Sequence, residues 1–214
     1  KTYLAATPEL VTNGSETSNG NYPSGVTKAN LAIVPLSDDG SIYIYNNRGE
    51  IHVALDVVAY LEEGGADDSR SGRIVPLEAP FRSFDTRTAE FGNSRLGFSS
   101  WEDWSFEAFA NSVRLDEVEV GAQSGLFGNL TAVGLERLYA SEAVKSFITM
   151  NPATSGAFPS EPGNSNLNFD ERGSVANASV VTYGSKDGDN NMVSAYNSNG
   201  RTHYILDVYA VILD

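Results

Sequence analysis

Between Ile51 and Leu61 apolar residues occupy every second position, with Ile51, Val53, Leu55, Val57 and Ala59 alternating with His52, Ala54, Asp56, Val58 and Tyr60. A period of two is the mark of a strand. Because both faces are partly apolar, the strand reads as a central one. The same stretch returns near the other end of the chain. Residues 43–61 (YIYNNRGEIHVALDVVAYL) and 194–212 (SAYNSNGRTHYILDVYAVI) align without a gap, matching Tyr45 with Tyr196, Asn46 with Asn197, Gly49 with Gly200, His52 with His203 and Asp56 with Asp207. Each copy reads as a hairpin: an apolar strand, an Asn-rich turn ending on Gly, and a second strand carrying His-x-x-x-Asp.

The remaining elements come from the same reasoning. Thr2 to Thr7 predicts a strand, Glu9 to Gly25 a long surface loop, Asn30 to Leu36 a short strand and Ser37 to Gly40 a turn. Trp101 to Leu115, with large aromatics at Trp101, Trp104, Phe106 and Phe109, fits a helix or a strand, and strand is preferred. Asn129 to Ala140 and Ala143 to Asn151 predict a strand pair around Ser141-Glu142. Pro152 to Asn166 reads as a loop, Val175 to Tyr183 as a strand and Gly184 to Asn191 as a second loop.

The repeat extends upstream of the hairpins. Ala29-Asn30 matches Ala176-Asn177, Ile33-Val34 matches Val180-Val181, and Tyr3-Leu4 before Pro8 matches Phe147-Ile148 before Pro152. Within the first 61 residues nothing corresponds to Ile74 to Val144. Glu62 to Arg73, charged and rich in Gly and Ser, reads as a linker. The expected organisation is a β half unit at 1–61, a linker at 62–73 and a complete unit at 74–214. The fold class is all-β, an antiparallel and jelly-roll-like β-sandwich in which one complete repeat unit follows a related half unit.

Composition narrows the function. A formal net charge of −14, with only 14 Lys and Arg scattered along 214 residues, speaks against a nucleic-acid groove. The chain has no cysteine, so disulfides and thiolate metal sites are excluded. No apolar run reaches the roughly 18 residues of a membrane span, and no membrane insertion is expected. Lys1 opens neither a Met-initiated chain nor a signal peptide, which suggests a processed product or a fragment.

Candidate chemistry is sparse. The pairs His52/Asp56 and His203/Asp207 share a strand face but lie about 13 Å apart along it, too far for a direct bond within one strand. They read as residues that satisfy backbone groups and set register. Asp85 and Arg87 in Asp85-Thr86-Arg87 suit a charge-assisted clamp. The acidic turns Asp38-Asp39-Gly40 and Asp187 to Asn191 fall short of a calcium loop. Glu102-Asp103 and Asp116-Glu117-x-Glu119 supply carboxylates for a glycan hydrolase, the least favoured reading. Trp101, Trp104, Phe106 and Phe109 form either core or a binding patch for a glycan or a protein. No metal, cofactor or catalytic residue is expected.

Six segments in order, Phe84-Asp85-Thr86-Arg87, Ala132-Val133-Gly134-Leu135, Asn166-Leu167-Asn168-Phe169, Val175-Ala176-Asn177, Tyr196-Asn197-Ser198-x-Gly200 and His203 to Val208, resemble a β-repeat module. That module occurs in actinobacterial surface and secreted proteins and in virion proteins of phages that infect those bacteria. The resemblance covers Ile74 to Asp214 as a full unit and Thr2 to Leu61 as a half unit without Asp-Thr-Arg and Asn-Leu-Asn-Phe. It leaves Ser94 to Leu126 unmatched. It implies a non-enzymatic display or attachment protein of an actinobacteriophage virion, as a capsid decoration or tail-associated subunit. The resemblance does not identify the partner; other virion proteins, further copies of itself and a host-surface glycan are the expected ones. The alternative is a secreted or wall-attached bacterial adhesion repeat.

Overall fold

The computed structural model describes residues 1–61, 71–106, 123–138, 145–156 and 161–214. Among them, regular structure is strand apart from one 3-10 turn at Ala89–Phe91, and the fold is an all-β sandwich of antiparallel sheets. The chain divides into two compact units, Lys1–Asp56 and Val57–Asp214.

The second unit holds the sandwich. One sheet joins β4 (Ile74–Asp85), β12 (Arg201–Leu213), β6 (Gln123–Glu136) and β9 (Val175–Thr182) in that order. The other runs β10 (Gly184–Lys186), β11 (Asp189–Asn197), β7 (Lys145–Pro152) and β8 (Leu167–Asp170), with β5 (Ser100–Ser105) on the remaining edge of β11. Phe84, Leu126, Leu130, Val181, Leu206 and Val208 from the first sheet meet Ile148, Met150, Leu167, Val193 and Ala195 from the second in one core.

Bulges let these long strands keep one face in the core. Along β12, Tyr204, Leu206 and Val208 point inward; Tyr209 is then the extra residue opposite the Gly128–Phe127 step of β6, and Val211 and Leu213 take over the inward positions. The phase of alternation shifts by one across the bulge, as an inserted residue requires. On β6 the matching shift falls at Gly134, whose φ of 65° is one that a side chain resists, and Leu135 turns inward after Ala132. β4 carries Pro76 and Pro80 yet pairs only with β12, as suits an edge strand.

Several expectations are corrected. Asn129 to Ala140 and Ala143 to Asn151 do supply strands, β6 and β7, but these belong to opposite sheets rather than to one pair. Residues 184–191 are a hairpin, not a loop: β10 and β11 turn at Asp187-Gly188, with φ of 56° and 95°. The reading of 194–212 as a hairpin also fails, since β11 and β12 lie in different sheets and Asn197 to Gly200 is a corner between them. Of Trp101 to Leu115, Ser100–Ser105 is strand and 107–115 lies outside the described residues.

The first unit is a three-stranded sheet, with β1 (Thr2–Thr7) between β2 (Gly20–Tyr22) and β3 (Tyr43–Asn46). β2 falls inside the stretch expected to be loop. Ser37 to Gly40 forms its turn, closed by the Gly40 N–H donating to Ser37 O at 2.8 Å. Asn30 to Leu36 and Ile51 to Leu61, both expected as strands, form none. β3 therefore pairs with β1 and not with the residues next in the chain.

Candidate functional site

The end of β4 meets the start of β12 through polar side chains. Arg82 donates from Nε to Asp207 Oδ1 at 2.8 Å and from its terminal nitrogen to Oδ2 at 3.2 Å, a two-point grip across the strands. Asp85 is buried, and Arg87 closes over it with Nε at 2.8 Å, a terminal nitrogen at 2.6 Å and its own backbone N–H at 3.1 Å. These bonds hold the Asp85 carboxyl down to about 2, against burial, which pushes it up. Arg82 adds a longer contact at 3.4 Å.

Thr86 continues the latch. Its hydroxyl donates to Tyr204 O at 3.2 Å and accepts from the Tyr204 N–H at 3.0 Å, while His203 Nδ1 lies 3.3 Å away. A hydroxyl beside an imidazole is the start of a nucleophile–base pair. Here the hydroxyl is fully buried and committed to the backbone of β12, so it works as a strand clip. Burial, then the charge of Arg95, lowers the His203 pKa, which keeps the ring neutral near pH 7. Asp207 meets Arg82 of β4 and His203 meets Thr86 just past its end, and the two do not meet one another.

The aromatic residues serve the core. Trp104 stacks on Phe84 with centroids 5.0 Å apart, and its indole N–H donates to the Tyr204 hydroxyl, which donates to Glu102 Oε2 at 2.7 Å. Phe106, only 2% exposed, packs on Tyr183. Trp101 lies half-buried against Tyr196, with centroids 5.0 Å apart. Phe109, Asp116, Glu117 and Glu119 lie outside the described residues. Asp103 accepts from Lys186 Nζ at 2.5 Å and from the Ser194 hydroxyl, so the Glu102-Asp103 pair also holds strands. Among the described residues no three His, Asp or Glu side chains gather as a metal would require, and no helix is long and apolar enough to cross a membrane.

The corner that ends β11 was missed as a centre of structure. Asn197 is fully buried; its amide donates to Gly97 O at 2.9 Å, Gly200 O at 3.0 Å and Asn199 O at 3.1 Å, and its Oδ1 accepts from the Ser146 hydroxyl at 2.6 Å. Ser146 Oγ in turn accepts from the Asn199 N–H at 2.9 Å. The first unit repeats the bonds to the corner glycine, the hydroxyl and the turn amide. Asn46 donates to Gly49 O at 2.8 Å and accepts from the Thr2 hydroxyl at 2.7 Å, and Thr2 Oγ1 accepts from the Arg48 N–H at 2.9 Å.

The likeness continues away from the corner. The Asn166 N–H donates to Ile148 O at 3.0 Å and its Oδ1 accepts from the Met150 N–H at 2.7 Å; the Asn19 N–H donates to Leu4 O at 2.9 Å and its Oδ1 accepts from the Ala6 N–H at 2.6 Å. Asn177 donates to Asn166 O at 2.7 Å, and Asn30 to Asn19 O at 2.8 Å. Asn19-Gly20-Asn21-Tyr22 is thus the half unit's version of Asn166-Leu167-Asn168-Phe169, a motif hidden in the sequence because Gly20 stands where an apolar residue is expected. The registers agree as well: Leu4 opposes Gly20 and Asn46 as Ile148 opposes Leu167 and Asn197.

Past the corner the two copies diverge. Leu55, Val57 and Tyr60 correspond to Leu206, Val208 and Val211; the first three are 60, 81 and 77% exposed and the last three are fully buried. His52 and Asp56 are exposed, whereas His203 and Asp207 sit against β4. Comparison with models of known protein families and with curated proteins finds no match to this chain.

Proposed function

We propose that the chain is a non-enzymatic structural and attachment protein of an actinobacteriophage virion, a capsid decoration or tail-associated subunit that works through contacts with other virion proteins, with further copies of itself and with host-surface glycan. The observation that carries this reading is the reuse of one strand-and-corner arrangement in both units, with Asn46 and Asn197 each bonded to the corner glycine and to a hydroxyl, beside a β4–β12 junction in which Asp85, Thr86, Arg87, His203 and Asp207 are spent on joining strands. Building by repetition, with polar residues as rivets, suits a display protein. The resemblance of the motifs to the actinobacterial and phage module supplies the setting.

Immunogold labelling and mass spectrometry of purified particles test it. Labelled particles containing the chain in stoichiometric amount are expected, and its absence from purified virions overturns the reading. The same module resemblance also favours a wall-attached bacterial adhesion repeat. A signal peptide encoded by the gene, together with recovery of the protein from the cell wall, would replace the virion setting with that one.

A further inference from the structure

The corner between β11 and β12 contains Asn199-Gly200, and its atoms stand close to a reactive arrangement. The Gly200 N–H donates to the Oδ1 of Asn199 itself at 2.9 Å, so the half-buried carboxamide is folded back over the peptide bond that follows it. Oδ1 is bonded to Cγ at about 1.2 Å, which leaves Cγ within about 4 Å of the Gly200 nitrogen. Bond formation starts from about 3–3.5 Å, a gap that a small rotation of the side chain closes. Gly200 has no Cβ to obstruct the approach, and its φ of 63° is one that glycine adopts freely. β12 begins only at Arg201, so the Gly200 nitrogen lies outside that strand.

The chain has two more Asn-Gly pairs, and they are placed differently. Asn19 turns its Oδ1 to the Ala6 N–H at 2.6 Å, and Gly20 is held in β2 opposite Leu4. Asn13 is exposed and lies outside the strands. In the corner of the first unit the place of Asn199 is taken by Arg48, whose side chain has no carbonyl carbon to attack.

We propose that Asn199-Gly200 is a self-modifying site, at which the corner converts itself to an isoaspartyl or aspartyl link. The Gly200 nitrogen gives its proton to hydroxide and bonds to Cγ of Asn199. The Cγ–Nδ2 bond breaks, and Nδ2 takes a proton from water and leaves as ammonia, which restores the hydroxide. The product is a five-membered imide. Water then adds to one of its two carbonyls and opens the ring: at Cγ it leaves aspartate on the original backbone, and at the backbone carbonyl it leaves an isoaspartyl link that runs through the side chain. Asn199 is anchored on both sides of the reaction, since its N–H donates to Ser146 Oγ at 2.9 Å and its O accepts from the buried Asn197 amide at 3.1 Å. The isoaspartyl link puts one more carbon into the backbone between those anchors and Gly200 O, which the same Asn197 amide grips at 3.0 Å. Conversion therefore loosens the joint between the two sheets with time. This inference rests on the corner alone and holds whether or not the chain belongs to a virion.

The test ages the full chain at mildly alkaline pH, in buffer and in concentrated urea, and follows each Asn-Gly pair by peptide mapping with tandem mass spectrometry. In buffer, Asn199 is expected to convert at least tenfold faster than Asn19. In urea, where the pairs share a glycine neighbour and no fold, the two rates are expected to come within threefold of each other. The aged chain should accept methyl groups from isoaspartyl methyltransferase at residue 199 and unfold at lower urea than the fresh chain. Asn199→Arg, which copies the corner of the first unit, should abolish that loss on ageing. The mapping uses the parent chain alone and does not depend on that variant. Three results overturn the proposal: Asn199 intact in buffer while Asn13 converts, the same ratio of Asn199 to Asn19 in buffer and in urea, or an equal loss of stability on ageing in Asn199→Arg.

Discussion

Replacing Asn197 by Ala isolates what the corner contributes. The amide NH2 has two hydrogens, shared among Gly97 O, Gly200 O, Asn199 O and, at 3.4 Å, Leu96 O; Oδ1 accepts one bond from Ser146. That makes three full hydrogen bonds. At about 1 kcal/mol net for each, the loss is about 3 kcal/mol, and the orphaned carbonyls of a site without solvent exposure push it upward. Urea unfolding followed by tryptophan fluorescence reads it, because both tryptophans, Trp101 and Trp104, belong to the unit that Asn197 stabilises. Asn197→Asp sharpens the experiment. It keeps the shape and the acceptor but removes the donors and sets a carboxylate against carbonyl oxygens, so it is expected to cost at least as much as Ala. A loss below about 1 kcal/mol for Ala, or a milder effect for Asp than for Ala, would refute the donor-centred account of the corner.

Other outcomes rest on the same geometry. The folded Asp85 carboxyl sits near 2 against 3.8, so its stabilisation is complete above the unfolded value and is lost as pH falls from about 5 towards 2. A tenfold change in proton affinity is worth about 1.4 kcal/mol, which makes this contribution about 2 kcal/mol. Arg87→Gln should flatten the acid limb of a stability-against-pH curve; an unchanged limb would dismiss the clamp. A Cβ at Gly184 would lie 2.0 Å from Ala153 O, so Gly184→Ala must move backbone and is expected to cost more than about 2 kcal/mol in urea unfolding. Leu130→Ala, in a fully buried position, should cost about 3 kcal/mol. Asn46→Ala should speed hydrogen exchange at the Arg48 amide, whose acceptor Thr2 Oγ1 is held by Asn46.

The class of fold was legible because Val175 to Tyr183 and Arg201 to Leu213 are short apolar, β-branched and aromatic runs with turn residues between them. The pairing was not. Alternation reports that a strand has two faces and is silent about its neighbour, so β6 and β7 were joined although a core lies between them. The corner at Asn197 reads as a hairpin for a related reason: an Asn-rich turn ending on Gly serves either, and the buried amide reaching Gly97 O distinguishes them. In the first copy, Ile51 to Leu61 carries the pattern of a central strand. Pattern expresses what a segment requires, and a strand forms only when neighbours take up its backbone groups. Of the polar residues in the motifs, Asp85, Arg87, His203 and Asp207 lie where β4 meets β12 while His52 and Asp56 lie exposed, and Thr86 and Arg82, which complete the latch, carry no signal beyond their place beside the first two.

The position of β12 bears on how the second unit comes to fold. It is the strand between β4 and β6, and it comes after both of them in the chain, with Ile74 and Ile212 paired although 138 residues separate them. During synthesis β4 and β6 must wait, apolar faces uncovered, until Arg201–Leu213 has been made. Such long-range closure is slow, and the waiting strands are open to wrong partners meanwhile. The unit is therefore expected to fold in one late step, set by the arrival of its central strand.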